Sequence, residues 1–364
     1  MTGGAAAVGG VPVRRVAELT AIARNAARLL AGARMTDAPA VGSLSREAEA
    51  SLRDAGSALP RHWTLGDRLT TVADVAVVEV RDGGELAAVL KLARTAAGDA
   101  SLEEQLGVLA RLADDPRLGQ WRRLLPEVLA SGVTGGRRWS VERAVPGTVG
   151  TSLPDSVSPP AAARNAVHAV AELHRSTGRA VVASPELVDG RLDPVLALVD
   201  EVPMLLGSAR RRALVDRLRE RVRSGLVGRT VWVGRTHGDY FPGNVFFGRS
   251  ADVRGVIDWG QSREDDLVLV DPGTLLLTAR AAAQGTGLGR VVGDLCRGAP
   301  LTDAEAALLE LHRAACPADP LGADVLALLT WLRHVENNLL KSPRYRSNPA
   351  WVHATLETVL RAAG

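Results

Sequence analysis

Asp239, Asn244 and Asp258 are the residues in this chain whose types and spacing most directly imply chemistry. They lie in Thr236-His237-Gly238-Asp239-Tyr240-Phe241-Pro242-Gly243-Asn244-Val245 and, fourteen residues after Asn244, in Val256-Ile257-Asp258-Trp259. A carboxylate at Asp239 can accept a hydrogen bond from a hydroxyl and take its proton, while Asn244 and Asp258 offer the hard oxygen ligands that Mg²⁺ prefers. These groups suit phosphoryl transfer to a hydroxyl, a reaction that needs little covalent help and much positioning and charge neutralisation. Each piece alone is also what an ordinary turn contains, since Gly supplies unusual backbone angles and Asp caps turns.

The elements around these residues give them a context. Thr230 to Val233 is β-branched and aromatic and reads as a strand entering the loop. Val245-Phe246-Phe247 and Val253 to Ile257 read as two strands leaving it, so Asp258 falls at the end of a hairpin. With that arrangement the sequence resembles the aminoglycoside phosphotransferase and choline kinase-like family, distant relatives of protein kinases. Gly238, between the His and the Asp, and Trp259, after the second Asp, favour this family over true protein kinases, and no Ala-Pro-Glu segment follows. The resemblance implies an α+β, two-lobed protein kinase-like fold, with a small β-rich N-lobe and a larger, mostly helical C-lobe. It implies ATP or another NTP as donor, Mg²⁺ held by Asn244 and Asp258, and Asp239 as catalytic base. His237 belongs with the catalytic set as a brace of the loop.

The resemblance also requires a lysine on a strand of the small lobe, to pair with the α- and β-phosphates. The chain has two lysines among its 44 basic residues, and one of them is Lys91, in Leu86-Ala87-Ala88-Val89-Leu90-Lys91-Leu92. Val75 to Val80 and Leu86 to Leu92 flank Arg81-Asp82-Gly83-Gly84, a hairpin signal. A helix is predicted from about Ser101, as N-cap, to Asp114, with Glu103 and Glu104 in its first turn. Related kinases place a Glu here to hold the strand lysine; Glu104 is the choice, with Glu103 as the alternative. The segment Glu142 to Gly147 looks like the hinge whose backbone groups bond adenine in related kinases, which puts Glu142 beside the nucleotide. The loop expected over the phosphates departs from pattern: after Gly66 it reads Asp67-Arg68-Leu69-Thr70-Thr71 with no further glycine. Fewer backbone N–H groups can then cradle phosphate, and the hydroxyl of Thr70 or Thr71 is expected to contribute.

Composition bounds the rest. The 364 residues suggest about two structural units, and an apolar fraction of 46 % suffices for their cores. A net charge of +3 indicates neither a nucleic-acid surface nor a membrane footprint. No apolar stretch has the length of a bilayer span and no basic region precedes the small residues of Met1 to Gly10, so a cytoplasmic protein is expected. Cys296 and Cys316 have no metal-ligand spacing and read as buried apolar residues.

Three parts are expected: a helical N-terminal extension over residues 1–60, a nucleotide-binding lobe over 61–144, and a catalytic and substrate-binding lobe over 145–364. In the extension, Val16, Leu19, Ile22, Ala23, Ala26 and Leu30 recur at helical spacing, and Ser45 to Ala58 reads as a second helix. This extension either packs on the small lobe or recruits a partner protein. In the large lobe a helix is predicted from Ser158 to His174, with His174 as a structural brace. Asp271 is expected to anchor the catalytic loop, and Asp266 reads either as a solvated turn residue, the preferred reading, or as a substrate contact. From Arg280 to the end there are eight acidic and nine basic residues, which is not the composition of a polycation site. Together with Lys341, Arg344, Tyr345 and Arg346, that balance suggests a neutral or anionic acceptor. The function expected is transfer of the γ-phosphoryl of ATP to a hydroxyl of a small molecule such as a sugar, nucleoside-like metabolite or antibiotic. The alternatives are a kinase of Ser or Thr on a natural-product peptide and a catalytically silent nucleotide-binding scaffold.

Overall fold

The computed structural model describes residues 41–69, 74–204 and 206–364. The amphipathic segment from Val16 to Leu30 and the phosphate-loop candidates Thr70 and Thr71 lie outside them.

The small lobe is a five-stranded antiparallel sheet of strands β1 (Thr64–Leu69), β2 (Val75–Asp82), β3 (Glu85–Ala93), β4 (Val128–Thr134) and β5 (Arg137–Arg143), in spatial order β1-β2-β3-β5-β4. The β2–β3 hairpin turns at Gly83 and Gly84, both at positive φ, which is why glycine stands there. Because side chains alternate along a strand, the sheet has two distinct faces. Val78, Val80, Leu90, Leu92 and Val141 form one apolar face, which is covered by helix α1 (Val41–Asp54) through Ala48 and by Ala55 and Leu59 after it. The described end of the N-terminal extension therefore packs on the small lobe. The other face carries Lys91, Ser140 and Glu142.

Helix α2 (Ala96–Asp114) crosses that second face. It begins five residues before the start expected at Ser101: Thr95 is its N-cap and accepts from the Gly98 N–H at 3.1 Å. The apolar period gives no sign of this early turn, since Ala96-Ala97-Gly98 carries no large side chain. The shift places Glu103 and Glu104 on the exposed side, while Leu102, Gln105, Leu109 and Leu112 form the buried stripe.

The large lobe is mostly helical, with two small antiparallel sheets at its upper edge. Helix α3 (Pro159–Thr177) leads to β7 (Arg179–Val182), and β8 (Thr230–Thr236) pairs with β7 on one side and with β11 (Arg263–Leu267) on the other. Strands β9 (Val245–Phe247) and β10 (Val253–Val256) form the hairpin after the catalytic loop, with β6 (Thr148–Val149) against β9. Helices α4 (Pro185–Asp200), α5 (Ser208–Leu226), α6 (Val270–Ala283), α7 (Leu288–Cys296), α8 (Asp303–Ala315) and α9 (Ala323–Lys341) build the core below, in which Leu218, Leu328 and Trp331 are fully buried. Among the described residues no helix is long and apolar enough to cross a membrane. Cys296 and Cys316 are free buried thiols, pushed by burial up to about 11 and about 12.

Candidate active site

The loop between β8 and β9 is held by hydrogen bonds that each join a backbone atom to a side chain. Asp271, at the start of α6 and fully buried, accepts from the N–H of His237 at 2.7 Å and of Gly238 at 2.8 Å. Its Oδ2 also meets His174 Nε2 at 3.0 Å, and His174 Nδ1 meets His312 Nε2 at 2.8 Å. His174 and Asp271 are thus the braces the sequence suggested. Gly238 has φ +81°, and a Cβ there would run into the carbonyl oxygen of Gln261, so both backbone angle and space require glycine. His237 is fully buried: its Nε2 donates to the Ile257 carbonyl at 2.9 Å and its Nδ1 accepts from the Asp239 N–H at 3.2 Å. With both ring nitrogens engaged, His237 positions Asp239 and Asp258 and has no free nitrogen for proton transfer.

These contacts leave Asp239, Asn244 and Asp258 facing one space. Asn244 Nδ2 donates to the Asp239 carbonyl at 2.9 Å, which leaves its Oδ1 without a hydrogen bond among the described residues. Asp258 has left-handed angles, φ 67° and ψ 61°, an unusual conformation for a residue with a side chain. Trp259 fixes it there: the indole is fully buried, donates to the Val256 carbonyl at 2.8 Å and packs edge-on against His237 and Trp121. The two carboxylates are driven apart in acidity. Burial raises the pKa of Asp239, with the negative charge of Asp258 adding to it and Lys341 opposing. Burial would raise Asp258 as well, but Lys341 and Lys91 outweigh it and hold the carboxyl below its usual range. Two neighbouring carboxyls pushed in opposite directions differ in how readily each takes up a proton, Asp239 more than Asp258. The donor set of Asn244 Oδ1 and the ionised Asp258 fits Mg²⁺, which takes one or two protein oxygens and completes its shell with phosphates and water. Consistently, no three His, Cys, Asp or Glu side chains among the described residues form a closed metal site.

From the small lobe, Lys91 projects toward this space with its ammonium held by a carboxylate, though not the one expected. Glu103 and Glu104 reach only Arg138, at 3.0 Å, and Arg111, at 3.7 Å, and both are largely exposed. The partner of Lys91 is Glu142 on β5, at 2.9 Å and 2 % exposed. The register explains the pairing: Lys91 lies opposite Ser140 and Val89 opposite Glu142, so Lys91 and Glu142 are diagonal neighbours on one face. Gln105 of α2 donates to the same Glu142 oxygen at 2.9 Å. Glu142 thus holds the lysine from the end of β5, one residue before the strand stops at Arg143.

The wall beside the catalytic loop is built from α9 and β11. Asn337 donates to the Gly238 carbonyl at 2.8 Å. Arg333, 5 % exposed, forms ion pairs with Asp266 and with Glu336, the latter at 3.3 Å. Arg191 holds Asp266 at 3.1 Å and Arg263 holds Glu336 at 2.9 Å. Asp266 is therefore no solvated turn residue. It is buried at the end of β11, where only a pair of arginines makes a carboxylate tolerable. A cavity of about 230 Å³ lies behind the loop, lined by Trp232, His312, Cys316 and Leu326; it is remote from the carboxylates and is not where the chemistry is placed.

The profile of the "Phosphotransferase enzyme family" matches residues 68–308, and the chain belongs to that family. It is a phosphotransferase with a hydroxyl group as acceptor. Among solved structures it is similar to an aminoglycoside-3'-phosphotransferase of type VIII, with 19 % identity over 80 % of this chain and 99 % of that one and a TM-score of 0.50. Aminoglycoside 2'-phosphotransferase-IIIa, solved with GDP, gives 16 % identity over 82 % and 93 % at a TM-score of 0.51. An ethanolamine kinase of Plasmodium vivax gives 10 % identity over 91 % and 95 % at 0.50. A search of curated proteins finds no sequence match. At these identities the likeness defines the two-lobed kinase-like fold.

Proposed function

We propose that this protein transfers the γ-phosphoryl group of ATP, or of another nucleoside triphosphate, to a hydroxyl of a neutral or anionic small molecule. The observation that carries the reading is the convergence of Asp239, Asn244 and Asp258 on one space, facing a lysine pre-aligned by Glu142. Asp239, with its raised pKa, accepts the proton of the acceptor hydroxyl as the oxygen attacks in line. Lys91 meets the α- and β-phosphates and gains direction from Glu142 and Gln105. Asn244 and Asp258 would hold Mg²⁺, which supplies charge neutralisation to the phosphates when bound. ATP as donor suits the cytoplasm; the relative solved with GDP makes GTP the second donor to test.

The acceptor class follows from how the large-lobe carboxylates are occupied. Asp266 and Glu336 are held by Arg191, Arg263 and Arg333, and Glu264 by Arg235 at 2.5 Å. A polycation would have to displace these internal arginines to find its carboxylates, whereas a sugar or a nucleoside-like hydroxyl compound would not. The test is transfer of label from γ-labelled ATP with Mg²⁺ across polycationic, neutral and anionic hydroxyl compounds and hydroxyl-bearing peptides, with Asp239→Asn as control. Labelling of a neutral or anionic small molecule by the wild type alone is the expected result. Labelling only of aminoglycosides or only of peptides would overturn the assigned class.

A further inference from the structure

Lys341, the second of the two lysines, is the last residue of α9. Asn337, four residues earlier, touches the Gly238 carbonyl at 2.8 Å, and residues four apart lie on one face of a helix, one turn from each other. Lys341 therefore stands one turn beyond the contact between α9 and the catalytic loop, on the same side. Two carboxylates act on it there. Burial alone would lower its pKa, but Asp258 and Asp239 together raise it. Among the described residues no carboxylate forms a direct ion pair with its ammonium, although Asp258 and Asp239 both act on it. The charge is near enough to be felt by the base and by the metal-binding carboxylate, and is bound to neither.

An arginine would serve as well if the role were only to complement the helix dipole. This chain uses arginine at every other basic position except Lys91. The phosphate loop supplies a second reason: no glycine stands between Gly66 and Gly83, so backbone N–H groups there cannot approach the terminal phosphate as closely as those of a glycine-rich loop.

We propose that Lys341 is a further catalytic residue, binding the γ-phosphoryl group from the acceptor side of the cleft, opposite Lys91. The proposal rests on the phosphotransferase reading above. In the transfer, the bond from the acceptor oxygen to the γ-phosphorus forms as the bond to the bridging oxygen of the nucleoside diphosphate breaks. The acceptor proton passes to Asp239. Lys341 stays protonated throughout and donates hydrogen bonds to the phosphoryl oxygens, where charge accumulates as the group moves.

The test needs no acceptor. Wild type, Lys341→Met and Lys341→Arg are titrated calorimetrically with ADP and with the β,γ-imido analogue of ATP in the presence of Mg²⁺, and slow release of phosphate from ATP to water is followed. A charge-assisted contact to the γ-phosphate predicts that Lys341→Met weakens the analogue about tenfold to a hundredfold. ADP affinity should remain within about twofold, water-directed release should fall at least as far as analogue binding, and Lys341→Arg should recover part of both. Equal weakening of ADP and analogue, or no weakening of either, overturns the proposal. So does a defect confined to the KM of an acceptor, which would assign Lys341 to the acceptor instead. If the wild type itself binds neither nucleotide, the phosphotransferase reading falls and takes this proposal with it.

Discussion

The loop after β8 and the wall of α9 and β11 stand side by side and are held by different forces. His237, Gly238 and Asn244 are fixed by hydrogen bonds between a backbone atom and one particular side chain, those of Asp271, His237 and Asn244, with Trp259 buried beneath. The wall is fixed by side-chain ion pairs among Arg191, Arg263, Asp266, Arg333 and Glu336. Each loop bond depends on one particular side chain for which no neighbour can substitute, whereas an ion-pair lattice with several arginines and carboxylates can be re-dealt by changing one member. On the function proposed above, the loop would serve one reaction and the wall a choice of acceptor.

Substitutions can break that contrast at its strongest point first. Asp239→Asn should lower kcat by about a thousandfold, the scale of a lost general base, while Mg-nucleotide affinity by calorimetry stays within about threefold. Next in size is Glu142→Ala. It leaves the Lys91 ammonium unpaired in a nearly buried position and should raise the KM for ATP by about tenfold or more, with a stability loss of about 3 kcal/mol by chemical denaturation. Glu104→Ala should change neither, and a large effect there would restore the helix glutamate to the role that Glu142 now fills. Arg333→Met should cost about 3 kcal/mol of stability, because Asp266 and Glu336 lose a buried partner, yet leave acceptor-free ATP hydrolysis within about threefold. Loss of hydrolysis in step with stability would show that wall and loop are one unit.

The smallest expected effect comes from behind the loop. His312 is 2 % exposed, and burial, aided by His174, lowers its pKa to about 3. Below about pH 6.5 the unfolded chain takes up a proton there that the folded protein refuses until about pH 3, so stability falls as pH falls through that window. The contribution lost by pH 5 is about 2 kcal/mol, and His312→Gln should flatten that part of the stability profile.

Those members of the candidate site that depend on local backbone geometry were legible before any fold was known. Asp239, Asn244 and Asp258 sit in a run whose glycine and hairpin are local, and Lys91 stands out because lysine is so rare here. The holder of Lys91 was not legible, because Glu142 reaches it only through the diagonal register of β3 and β5, which no local pattern encodes. The start of α2 was misplaced for want of an apolar signal in its first turn. Yet one signal was there to be read: Leu102, Gln105, Leu109 and Leu112 share a helical stripe on which Gln105 is the lone polar residue. Asp266 was misjudged for a similar reason, since its partners Arg191 and Arg333 come from helices far away in sequence.

The scarcity of lysine has a practical side. Of the two ε-amines in the chain, that of Lys91 is locked in an ion pair and nearly buried, whereas Lys341 is an exposed residue with no ion pair of its own among the described residues. Apart from the α-amine, an acylating reagent at a pH high enough to free the amine that Asp258 and Asp239 hold protonated therefore meets one preferred target, so ordinary amine chemistry becomes site-directed without mutagenesis. A fluorophore attached that way would sit at the mouth of the cleft, and protection from labelling by a bound nucleotide would report occupancy in the unmodified sequence.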